Sequence, residues 1–157
     1  MHTKNRTLKI IILILIGISS SIYSYKESTA STSTVAPSKS DSVFTPVAKI
    51  KTYAKNQTSK VAVTIKGTVT KILSDDNSGA RHQRFIVKLS NSQTLMISHN
   101  IDIAPRVNGL KVNREIIVHG EYVWNEQGGL VHWTHHNPDS DGSHENGWII
   151  YENKKYQ

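Results

Sequence analysis

The chain has 157 residues, with 19 Lys and Arg against 12 Asp and Glu for a formal charge of +7, and no cysteine. The missing thiols exclude a disulfide framework and a lipidated amino-terminal cysteine, leaving any exported domain to depend on its apolar core. From Val61 onward ten Lys or Arg meet ten Asp or Glu, so the excess charge lies in the first 60 residues and is a poor guide to the folded domain's partners.

Lys4, Arg6 and Lys9 precede an apolar run from Ile10 to Ile18 and then three serines, the three-part layout of a secretory signal peptide. The run is well short of the roughly 20 residues that span a bilayer as a helix. Residues 1–24 are therefore expected to be cleaved on export, leaving a periplasmic or secreted protein with no stable membrane insertion. Residues 25–43, rich in Ser and Thr with few large apolar groups, read as a disordered tether, and residues 44–157 as the folded domain. Thr45 as N-cap and Pro46 at the first helical position open a short helix in which Val47, Ile50 and Ala54 share a face.

After Lys60 the pattern changes to alternation: VAVTIKGTVTKIL, RFIVKL, QTLMIS, EIIVHGEYVW, GLVHW and, near the end, WIIY. Turn residues separate these runs, among them Asp76 to Gly79, Asn91-Ser92 and Glu126 to Gly129. Short strands, Gly67 inside a long first strand and a longer third connection predict a mainly β fold. The expected architecture is a small antiparallel OB-like barrel with a short N-terminal helix; a small sandwich is the alternative.

Seven of the eight histidines fall between His82 and His144, and clustered imidazoles beside carboxylates point to metal binding or proton transfer. Placing Phe85, Val87, Leu89, Leu95 and Ile97 on one face pairs Val87 with Ile97. His82, Arg84, Asn100 and Asp102 then share the other face, with His82 opposite Asp102 and His99 opposite Phe85. These four form a candidate catalytic patch, with His82 and Asp102 as the acid–base pair and Arg84 as the anion clamp. In the next hairpin, pairing Val123 with Val131 sets His119, Glu121 and His135 on one face, a three-ligand set for a zinc-like ion with a position open to water. His132 and His136 then point the other way as supporting groups. His144, Asp139 and Asp141 can lend a ligand from a loop, while Trp124, Trp133 and Trp148 offer stacking surfaces for a sugar or base.

Two look-alikes fail. HWTHH has the His spacing of a zinc-protease helix, but Trp133 stands where the glutamate base belongs. DSDGSHE has its glycine two residues too early for a calcium loop, with Ile150 at the twelfth position.

The segments LSDDNSGARHQRF, SHNIDIAPRV, GEYVWNEQGGLVHWTHH and HENGW closely resemble a family of small exported bacterial proteins known only as a domain of unknown function, over roughly residues 44–157. That resemblance implies export and domain limits but no reaction. GTVTKILSDD followed by NIDIAPR also resembles the first half of the staphylococcal-nuclease-like OB barrel, which implies calcium held by Asp75 or Asp76 together with Asp102. Arg106 stands where that pattern has glutamate, and Ile97 where it has arginine. The expected function is metal-assisted hydrolysis of phosphodiester or similar anionic substrates, small or polymeric, with a zinc-like ion or calcium as cofactor. A non-catalytic module that binds glycan, peptide or single-stranded nucleic acid is the alternative.

Overall fold

The computed structural model describes residues 43–139 and 141–157. The signal peptide expected over 1–24 and the tether expected over 25–43, apart from Val43, lie outside the described residues. Among those residues the fold is mainly β, with one short helix and a closed five-stranded barrel, as the alternating runs predict.

Helix α1 (Val47–Lys55) sends Ile50 fully into the core. Thr45 is not its N-cap. Pro46 holds that position without a side-chain cap, while the Thr45 N–H donates to Thr64 O at 2.8 Å and its hydroxyl accepts the Thr64 N–H at 3.0 Å. Thr45 thus satisfies two backbone groups of strand β1 (Val61–Ile72) and ties the helix to the barrel wall.

The long β1 serves two neighbours. Its first part runs antiparallel to β4 (Glu115–Val123), its last part antiparallel to β2 (His82–Lys88), and Thr68 pairs with both Glu115 and Lys88. Gly67 stands at this crossing, where a Cβ would come within 2.5 Å of Val87 Cγ1 and 2.7 Å of Lys88 O. Only glycine lets the two strands approach so closely. β2 continues to β3 (Thr94–Asn100), and β3 runs parallel to β5 (Leu130–His132), which returns antiparallel to β4 and closes the barrel. Beyond the barrel, β6 (Trp148–Tyr151) pairs with β4 and β7 (Lys154–Tyr156) pairs with β6. The turn between these last two holds Glu152 and Asn153 at positive φ (47° and 60°), the form that suits a two-residue hairpin.

Inward residues from every barrel strand build one core. Val63, Ile65, Phe85, Val87, Leu95, Ile97, Ile116, Val118, Tyr122 and Val131 are all buried in it. The expected inward set of β2 and β3 is correct, but the register differs by two residues: Val87 pairs with Leu95, and Phe85 with Ile97. Ser92 at φ 67°, with Leu89 N–H bonded to Gln93 O, makes the connection a three-residue turn. A shift of two preserves the faces and changes only the partners.

The second hairpin differs by one residue, and there the faces change. Tyr122 pairs with Val131 and Glu121 with His132, in place of Val123 with Val131 and Glu121 with Trp133. Asn125 Oδ1 accepts the N–H of both Gln127 and Gly129, which organises a six-residue connection. The Tyr122 ring lies over Gly129, where a Cβ would be 2.6 Å from its hydroxyl, so the aromatic core residue fixes the new register.

Candidate functional site

On the outer face of β4, His119 and Glu121 alternate with the buried Val118, Gly120 and Tyr122. Because Glu121 now lies opposite His132, its carboxylate meets the His132 Nε2 at 3.1 Å. His119 lies between β1 and β6. Its Nδ1 is 2.8 Å from the Thr64 hydroxyl, its Nε2 is 3.4 Å from Glu145 Oε2, and its ring stacks on Trp148 with centroids 5.5 Å apart.

These two carboxylates line one cleft of about 240 Å³, walled by Lys60, Ala62, Gly120, Trp133, Gly142 and His144. The cleft therefore presents Glu121 and Glu145 to a ligand, each beside an imidazole, and Lys60 as a cation. Sequence reasoning missed Glu145 and Lys60 as site residues. Glu145 stands beside His144 in HENGW, but only tertiary folding brings it to His119.

The run from His132 to His136 leaves the strand after one turn of alternation. Trp133 has φ 49°, and the chain then passes tightly between β4 and β6. It can do so because Gly120 and Gly147 carry no side chain: a Cβ on Gly147 would overlap Trp133 O, and one on Gly120 would overlap His132 O. The side chains consequently fan out. Thr134 is buried, and its hydroxyl meets His99 Nδ1 at 2.9 Å. His135 is buried, with Nδ1 donating to His136 O at 2.6 Å.

His99 is an internal strut. Its Nε2 donates to the Pro105 carbonyl at 3.1 Å, and its Nδ1 meets the Thr134 hydroxyl at 2.9 Å. Burial pushes the His99 imidazole below its ordinary pKa, against the opposing effect of the Pro105 carbonyl, and burial lowers that of His135 as well.

The expected ligand set of His119, Glu121 and His135 does not assemble. The one-residue slip gives Glu121 to His132, Glu145 takes His119, and His135 turns into the interior. Among the described residues no group of three or more His, Asp or Glu side chains is arranged to hold a metal ion. Each tryptophan has a packing partner, and Trp133 also faces the cleft. Trp133, 37% exposed, stacks on His144 with centroids 4.3 Å apart, Trp148 lies between His119 and the Lys155 ammonium, and Trp124 packs on the core.

The patch of His82, Arg84, Asn100 and Asp102 is likewise rearranged. His82 pairs with Asn100 rather than lying opposite Asp102, and its Nδ1 donates to Ala80 O at 2.8 Å. Asp102 takes both the backbone N–H and the Nε of Arg81 at 2.7 Å, and those bonds hold its carboxyl below the usual range. Arg84 donates to Ser74 O at 3.1 Å and approaches Asp76 at 3.9 Å, while Asn100 Oδ1 accepts the Asp102 N–H. Asp75 is held by both terminal nitrogens of Arg106, whose bonds lower its pKa. The carboxylates that the nuclease-like resemblance offers to calcium are thus engaged by arginines, and the group fastens the loop after β1 to the loop after β3.

In the loop before β6, Asn137 Nδ2 donates to Asp141 Oδ1 at 3.0 Å, and Asn146 Oδ1 accepts the Asn137 N–H. Bonds from Asn137 and Ser143 lower the Asp141 pKa to about 2. Asp141 is therefore a loop brace that positions His144 and Glu145.

Residues 34–157 match the model of a family described as "Protein of unknown function (DUF3465)". The match begins ten residues ahead of the domain start expected at 44. No curated protein matches the chain.

Proposed function

Because the chain belongs to this family of unknown function, we propose its activity from the cleft itself: an acid–base hydrolase of phosphodiester or similar anionic substrates. The observation that carries this reading is the pair of carboxylates lining one cleft, Glu121 hydrogen-bonded to His132 and Glu145 facing His119 Nε2 at 3.4 Å. Glu121, with His132 at 3.1 Å, is the base that accepts a proton from the attacking water. Glu145, with His119 Nε2 at 3.4 Å, is the partner group that hands a proton to the departing oxygen. Lys60 offsets the negative charge of the substrate and of the developing transition state. The closed five-stranded barrel is compatible with this reading.

The test is turnover of bis-p-nitrophenyl phosphate. Glu121→Gln and Glu145→Gln should each lower kcat by about 10²–10⁴-fold, the usual contribution of a positioned acid or base, while Lys60→Gln should act mainly on KM. Hydrolysis no faster than in buffer, or full activity in both glutamine variants, would remove this reading.

A further inference from the structure

We propose that His135 and His144 together bind a divalent transition-metal ion through their Nε2 atoms, with solvent completing its coordination. This two-imidazole site is distinct from the proposed acid–base pairs and does not depend on them. It rests on how the rings are fixed. His135 Nδ1 donates to the His136 carbonyl at 2.6 Å, and His144 Nδ1 donates to the Glu145 carbonyl at 2.7 Å. An N–H spent on a carbonyl leaves the other nitrogen with its lone pair, and an Nδ1 anchor of this kind is what orients imidazole ligands in metal sites. Neither Nε2 has a hydrogen-bond partner among the described residues.

The spacing of the rings fits one ion. Their centroids are 5.3 Å apart and their planes cross at 84°. An ion about 2.0–2.1 Å from each nitrogen, at a tetrahedral angle, sets two imidazole centroids roughly 5.2 Å apart. His136, with its centroid 6.5 Å from His135, lies farther away. Both ligands are also held from behind. His135 is buried at 1% exposure, and the His144 ring stacks on Trp133 at 4.3 Å, on a loop braced by Asn137 and Asp141. Imidazole donors suit zinc, copper and nickel, whereas calcium and magnesium require oxygen. Since His144 lines the cleft, the ion's open positions would lie beside the two carboxylates.

Isothermal titration of the untagged full chain with Zn²⁺ alone at pH 7.5 tests this. One ion should bind per chain, and His144→Ala should abolish that uptake. His135→Ala should do the same, but its side chain is buried, so the half-buried His144 carries the decision if the first variant misfolds. His132→Ala and Glu121→Gln should bind zinc as the parent does. A parent that takes up no zinc, a folded His144→Ala variant that still binds one ion, or an equal loss in His132→Ala would each overturn the site. Zinc uptake without hydrolysis would leave this site standing and remove only the acid–base reading, whereas hydrolysis without uptake would do the reverse.

Discussion

Among single residues, His99 shows how one buried imidazole turns a hydrogen-bond pattern into a dependence on pH. Its folded pKa is depressed, chiefly by burial, so its contribution to stability is complete above the unfolded value of about 6.5 and is lost as pH falls from there toward the folded value. His135 acts in the same direction. The lowered carboxylates of Asp75, Asp102 and Asp141 lose their contribution only below their ordinary value of 3.8, so they do not account for changes above pH 5. Thermal melts should therefore show a lower Tm at pH 5 than at pH 7.5. His99→Gln should lower Tm at pH 7.5, since disturbing buried hydrogen-bond partners costs about 1–3 kcal/mol, and should also narrow the gap between the two pH values. A parent Tm that is flat from pH 5 to 7.5 would contradict this account of His99.

For the elements, two hairpins of the same barrel illustrate the parity of strand register. The two-residue shift between β2 and β3 left Phe85, Val87, Leu95 and Ile97 inward, so the faces were legible from alternation alone. The one-residue shift between β4 and β5 exchanged the partners of Glu121 and dissolved the expected metal triad. Local periodicity could not reveal it, because both Tyr122 and Val123 are apolar enough to face a core. The choice came from the Tyr122 ring seated over Gly129 and from Gly120 under the chain after β5. Gly120→Ala should test that close passage. Its added methyl meets the His132 carbonyl and the Thr134 methyl, and should cost about 1–3 kcal/mol as overpacking. Urea unfolding that matches the parent would show that the two segments separate without cost.

At the scale of the whole molecule, the apolar run from Ile10 to Ile18, with basic residues before it and serines after it, leads to an expectation of export. Mass spectrometry of the exported protein should find a new amino terminus between about Tyr23 and Ser31, and an intact Met1 on membrane-bound protein would refute removal of the leader. Composition and alternation by themselves determined the class of the fold, its barrel strands and most of its core, because each rests on neighbours two to four residues apart in the chain. The β7 strand escaped because Glu152-Asn153 lacks the usual glycine turn signal although both residues adopt positive φ. The histidine-rich run did mark the right region, yet it could not say which carboxylate each ring would meet. Glu121 with His132 depends on a register set by turn length, and His119 with Glu145 joins β4 to a loop 26 positions later. Only tertiary structure decided those partners, since a one-residue slip or a loop folding back costs nothing in local pattern and redirects every side chain at the site.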